Sequence, residues 1–98
     1  MYGTVALLKV KPGKANDFAA LMRQMDTERQ MKGHVGEFVY KLDSDPTQYM
    51  LVVFFQDKAS YQANANDPEQ DKDYRRMRDM LEADPVWHDG EIVHEFRR

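Results

Sequence analysis

The chain contains no cysteine in its 98 residues. That absence removes disulfides, thiolate metal sites, iron–sulfur clusters and cysteine nucleophiles together. Glycine and proline are sparse, at five and four, and no glycine-rich phosphate loop or nucleophile motif is present. The longest apolar run is seven residues, far short of the roughly 20 that span a bilayer, so no membrane partner is expected. Positive charge is in deficit, with 14 Lys and Arg against 17 Asp and Glu, a net charge of -3 and a pI near 5.5. Nucleic acid wants a basic face, and it is not expected as a partner. The first residues run straight into a strand pattern without a charged leader or apolar signal core, which suggests a cytoplasmic protein. The three histidines, His34, His88 and His94, share no metal-ligand spacing, so no metal site is expected. No linker, repeat or low-complexity segment divides the chain, and residues 1–98 read as one domain of ordinary size.

The segment that is richest in information is Tyr49-Met50-Leu51-Val52-Val53-Phe54-Phe55. A strand points successive side chains to opposite faces, so this one is apolar on both. A chain this short can cover one face with its own helices; a second copy is expected to cover the other. Tyr2 to Lys11 reads as a first strand, with Val5 and Leu7 on one face and Thr4, Ala6, Leu8 and Val10 on the other. Pro12-Gly13 ends it. A helix is predicted from about Lys14 to Met31, with a buried stripe of Phe18, Leu21, Met22 and Met25 at helical spacing, and Gly33 ends it.

Val35 to Asp43 reads as a second strand, and Ser44-Asp45-Pro46-Thr47 as the turn of a hairpin with the apolar strand. Asp57 can cap a short helix from Lys58 by accepting its free backbone N–H groups. Asp67-Pro68-Glu69 is a second start signal, for a helix over Pro68 to about Glu82 with a narrow apolar face of Tyr74, Met77 and Leu81. Ala83 to Gly90 is expected to be a loop, and Glu91 to Arg97 the last strand, with Ile92, His94 and Phe96 on one face. The order βαββααβ predicts an α+β, ferredoxin-like antiparallel sheet with helices on one face.

On these residues the segment from Gly33 to Pro68 resembles the antibiotic biosynthesis monooxygenase family of dimeric α+β barrels. Gly33-His34-Val35-Gly36 is similar to the family's entry to the second strand, Asp43-Ser44-Asp45-Pro46 to its hairpin turn, and Asp57, Ala59 and Tyr61 to its strand-to-helix junction. Asp67-Pro68 is similar to its step into the next helix. The chain has Phe55, Val53 and Asn64 where the family often has tryptophan, glutamate and histidine. The resemblance implies a homodimer with an apolar pocket in each subunit between helices and sheet. It implies a monooxygenase without metal or flavin cofactor: a flat aromatic or quinol-like substrate, once deprotonated, passes an electron to dioxygen. The same fold could instead bind or sense a small apolar ligand without transforming it, or carry an isomerase.

Six side chains are candidates for the site. Asn64 and Tyr74 are the candidate catalytic groups. Asn64 can hydrogen-bond a substrate oxygen, or serve only the backbone at a helix end. Tyr74 can offer its phenol to a pocket, or be a core aromatic with its hydroxyl at the rim. Phe55 and Tyr61 are candidate walls for an aromatic ligand. Trp87 and His88 can form a lid with a titratable imidazole, or a subunit contact beside a solvated histidine.

Overall fold

The computed structural model describes all residues from Met1 to Arg98. Seven elements follow the predicted order: β1 (Tyr2–Lys9), α1 (Ala15–Glu28), β2 (His34–Lys41), β3 (Gln48–Phe55), α2 (Lys58–Ala65), α3 (Pro68–Arg78) and β4 (Trp87–Glu91). The strands form one antiparallel sheet in the order β2-β3-β1-β4. This is the ferredoxin-like α+β fold.

Both capping signals act as expected. The Asp57 carboxylate accepts from the Ser60 backbone N–H at 2.8 Å, and Asp67 from that of Glu69 at 2.9 Å. Each satisfies a donor that the first helical turn leaves without a partner. Gly33 precedes β2 at φ 79°, a left-handed conformation that glycine adopts without cost.

Strand alternation separates two apolar faces. Thr4, Ala6, Leu8 and Val10 are buried under the helices with Leu51, Phe18, Leu21, Met77 and Leu81. Each fully buried leucine contributes about 2 kcal/mol of transfer free energy. Val5, Leu7, Val52, Phe38 and Tyr40 share the opposite face, as their pairing register shows. Nothing within the chain shields that face, and Phe38 is 64% exposed.

Three boundaries differ from expectation. The predicted α1 extends to Met31, but Arg29 already has extended angles, φ -142° and ψ 128°, and its side chain turns into a polar network described below. The predicted α3 extends to Glu82, but it stops at Arg78 because the following residues pair with the end of β1. Lys11 N–H donates to Met80 O, and Glu82 N–H to Lys9 O, each at 2.9 Å.

The last strand is the largest correction. It covers Trp87–Glu91 rather than Glu91 to Arg97, and the expected loop over Trp87 is strand. β4 pairs with β1 from Ala6↔Trp87 to Tyr2↔Glu91. One further bond, Ile92 N–H to Met1 O at 2.9 Å, follows it. Ile92, His94 and Phe96 lie beyond the strand.

Candidate functional site

A cavity of about 410 Å³ lies between the helices and the sheet. Its floor contains one cross-strand row. Glu37 of β2 pairs with Val53 of β3, Val53 with Thr4 of β1, and Thr4 with Asp89 of β4. All four face the helices and line the cavity. Three strand spacings separate the ends of the row, about 14 Å. The row is polar at each end and has a hydroxyl near its middle. Thr4 is only 7% exposed, and its buried Oγ1 makes no hydrogen bond of good geometry, although it lies near enough to the Tyr61 hydroxyl to act on it. A buried hydroxyl in that condition is a ready contact for a ligand.

The walls come from the helices. The α1 stripe divides along its length: Phe18 and Leu21 are buried in the core, whereas Met22 and Met25 line the cavity. Leu51, Phe55 and Met77 complete its apolar lining. Two aromatic groups meet across it. Tyr61 stands 5.8 Å from Phe55 and, edge-on, 5.2 Å from Tyr2. Tyr74 of α3 and Trp87 of β4 are 6.1 Å apart.

Five of the six candidates therefore surround one cavity: Phe55, Tyr61, Asn64, Tyr74 and Trp87. His88 does not. In a loop it could have joined Trp87, but β4 is a strand and consecutive side chains alternate. Trp87 pairs with Ala6 on the helix side, and His88 pairs with Val5 on the open face. The imidazole is thus directed away from the cavity.

The Tyr61 hydroxyl donates to Asp89 Oδ1 at 2.7 Å. Burial pushes its pKa up to about 12; the neighbouring Asp89 carboxylate adds to the rise and the Thr4 hydroxyl partly offsets it. The phenol is therefore a donor at neutral pH and not a base.

The Asn64 amide is engaged by other side chains and not by the helix-end backbone. Its Oδ1 accepts from Arg29 Nη1 at 3.1 Å, and its Nδ2 donates to Gln70 Oε1 at 3.1 Å. Arg29 also donates from Nε to Asp73 Oδ2 at 3.1 Å and from Nη2 to Gln70. Its Nη1 lies 3.7 Å from Asp67. One guanidinium thus ties the end of α1 to α2 and α3 and lines the cavity as its principal cation. The expectations from sequence missed it, because Arg29 lies among charged residues with nothing local to single it out.

They missed a carboxyl pair as well. Glu37 of β2 and Asp26 of α1 both line the cavity. Glu37 has its pKa raised to about 7, first by burial, then by the charge of Asp26 and a side-chain hydrogen bond with it. His34 Nε2 lies 3.4 Å from Glu37 Oε1, buried and without a hydrogen-bond partner. No cluster of three or more His, Asp or Glu side chains is arranged to hold a metal ion. No helix is long and apolar enough to cross a membrane.

Solved structures of the same fold are numerous. The cofactor-independent oxygenase SnoaB of Streptomyces nogalater superimposes with a TM-score of 0.81 at 11% identity, over 99% of this chain and 97% of that one. Proteins assigned as antibiotic biosynthesis monooxygenases superimpose with a TM-score of 0.80 in two further cases. The one from Bordetella bronchiseptica does so at 19% identity over 95% of this chain and 97% of its own. The one from Deinococcus radiodurans does so at 13% identity over 100% and 98%. Identities this low speak for the fold alone. No curated protein matches the sequence. The family model described as antibiotic biosynthesis monooxygenase matches residues 1–79, and the chain belongs to that family.

Proposed function

We propose that the protein is a cofactor-independent monooxygenase that oxidises an aromatic or quinol-like small molecule in the cavity between helices and sheet. The observation that carries this reading is the cavity itself, of about 410 Å³, walled by Phe55, Tyr61, Tyr74 and Trp87 and set with isolated polar groups. Flat aromatic ligands suit such walls, because offset and edge-on ring contacts add to the apolar area removed from water. Family membership and the shared fold of SnoaB support the same reaction class. The fold by itself hosts more than one function.

The chemistry asks the protein for orientation, a dry site and control of one proton. A deprotonated anthrone- or quinol-type substrate gives an electron to dioxygen, and the radical pair combines to a peroxide anion, which takes back the proton removed from the substrate to become a hydroperoxide. Loss of water then leaves one oxygen atom in the quinone product and the other in the water. With its proton held by Asp89, the Tyr61 oxygen is suited to accept a hydrogen bond from a substrate hydroxyl, and Tyr74 with Trp87 to hold a ring at the β4 side.

The deciding experiment is dioxygen uptake by metal-stripped protein with a panel of anthrones and dihydroxynaphthalenes. Uptake with quinone formation is expected. No uptake across the panel would remove the support for this reading. The alternative is a dimer that binds or senses a small apolar ligand. It draws on Asn64, whose amide is already engaged by Arg29 and Gln70. In that case a ligand raises the melting temperature and is recovered unchanged.

The assembly is part of the proposal. A second copy is the occupant that best fits the open sheet face, where Val5, Leu7, Phe38 and Tyr40 remain exposed. The residues after Glu91 extend the same conclusion. Phe96 is 71% exposed and borders a shallow apolar groove with Phe38, Val52 and Phe54, which a partner's sheet would close.

A further inference from the structure

The far end of the cavity, at the β2 edge, is built for a task that the aromatic walls do not perform. We propose that Glu37, which lines the cavity together with Asp26, is the group that takes a proton from a phenolic or similarly acidic ligand. The inference rests on the monooxygenase reading only for what happens after that transfer.

The geometry has three parts. Glu37 enters the cavity from the floor and Asp26 from the α1 wall, so two carboxyls share one apolar corner with Met22, Met25 and Val53. Burial and the neighbouring Asp26 charge both disfavour ionisation of Glu37. Behind Glu37, on its own strand, the buried His34 Nε2 stands 3.4 Å away. It is placed to stabilise the ionised carboxylate whenever the imidazole is protonated. Glu37 can thus accept a proton on the cavity side, with its basicity raised by burial and by Asp26 and with His34 behind it.

The remaining charges face the site from farther around the cavity. Arg29 follows α1, Asp71 and Asp73 come from α3, and Asp89 comes from β4 at the opposite end of the floor row. Arg29 is engaged with Asp73 and Asp89 with Tyr61. Burial and the Asp26 charge push the Glu37 pKa up to about 7, where a general base has both the right form and enough driving force.

The step is a single proton transfer. The ligand's O–H bond, or its activated C–H bond, breaks and an O–H bond forms on Glu37. The electron pair stays on the ligand, which becomes the anion that dioxygen can oxidise. Glu37 touches the ligand and is the catalytic residue in this sense, whereas Asp26 and His34 are positioning residues.

The test uses a flat phenol that dioxygen does not consume, 1,8-dihydroxyanthraquinone, titrated into the full-length protein across pH 5 to 9 by its visible absorbance. Binding should strengthen with rising pH, with a midpoint near the Glu37 pKa of about 7. Asp26→Asn should move that midpoint down by about one pH unit, because it removes the neighbouring charge. Glu37→Gln should abolish it. Circular dichroism and the carboxyl carbon resonance of Glu37 in ligand-free protein show separately that each variant is folded and where the carboxyl titrates.

In turnover with an oxidisable substrate, the acid limb of kcat/KM should shift with Asp26→Asn in the same direction. Affinity that does not change with pH in the wild type overturns the proposal, as does failure to bind the dye at any pH. Persistence of the pH dependence in Glu37→Gln also overturns it. If the pH-dependent binding appears but no substrate consumes dioxygen, the proton acceptor stands and the oxygenase reading fails.

Discussion

The Tyr61 hydroxyl and the Asp89 carboxylate meet at 2.7 Å, and the bond pins α2 to the edge strand β4 at the wall of the cavity. Sequence separates the two by 28 positions; the antiparallel pairing of β4 with β1 brings them together. Asp89→Asn should lower the Tyr61 pKa part of the way from about 12 toward 10. Burial, the larger cause, remains. Absorbance titration of the tyrosinate band, with Tyr61→Phe as the blank, measures the shift directly. Tyr61→Phe itself should cost roughly 0.5–1 kcal/mol, the net worth of one partly solvated hydrogen bond.

Arg29 is expected to matter more for stability than any other exposed-looking charge. Its side chain is 19% exposed and its Asp73 partner 20%. Arg29→Ala leaves the half-buried Asp73 carboxylate with only the longer contact to Arg76 at 3.6 Å, and leaves Asn64 and Gln70 short of a donor. A loss of about 2–3 kcal/mol follows from charged hydrogen bonds of this kind. Arg29→Lys should recover only part of it, because an ammonium cannot reproduce the guanidinium fork. Urea denaturation of both variants is the check.

Stability should fall as pH rises through the titration of Glu37. Its folded pKa, about 7, lies above the ordinary carboxyl value of 4.5, so the folded state holds the proton more tightly than the unfolded chain. The linkage slope is then negative between those two values. Below them both states are protonated and the group is neutral in effect; above them the full penalty is present. Glu37→Gln removes the charge without changing shape. It should leave the melting temperature unchanged at pH 4 and raise it at pH 8 by a few degrees, about 1 kcal/mol after allowing for screening at a partly solvated site. Calorimetry at the two pH values decides.

Val52 stands at the centre of the open face, paired with Val5 on one side and Phe38 on the other. Val52→Asp puts a charge where a second sheet is proposed to pack, and should convert a sedimenting dimer into a monomer or an unstable chain. A wild-type protein that sediments as a stable monomer at micromolar concentration would dispose of the dimer.

Gly33→Ala should destabilise by at least 1 kcal/mol on two counts. The backbone is at φ 79°, and a Cβ would come within 2.4 Å of Ser60 Oγ. Thermal denaturation measures it. Gly13, at the same φ but with open space around it, isolates the conformational part when substituted alongside.

Short-range physics made much of the chain legible. The apolar runs of β1 and β3, the caps at Asp57 and Asp67, and the helical stripe from Phe18 to Met25 each depend on residues a few positions apart. The element order and the α+β class follow from them. Phe55, Tyr61, Asn64, Tyr74 and Trp87 could be picked out as aromatic or amide side chains, with Tyr74 on an apolar helix face. The directions of Trp87 and His88 could not be read, because they depend on whether Trp87–Glu91 is loop or strand. That in turn depends on its pairing with β1.

What composition and local pattern determined by themselves was the list of elements, their order and which face of each is apolar. Only tertiary structure decided that Asp26 and Glu37 share a corner and that Arg29 spans to Asn64, Gln70 and Asp73. It likewise decided that Thr4 lies with its hydroxyl unpaired on the cavity floor. Those contacts join residues from 6 to 44 positions apart in the Arg29 network alone. Local propensity carries no information about such distances. Chain crossing and strand register set the charge, burial and basicity of each group, and these are the properties from which the chemistry of the site is made.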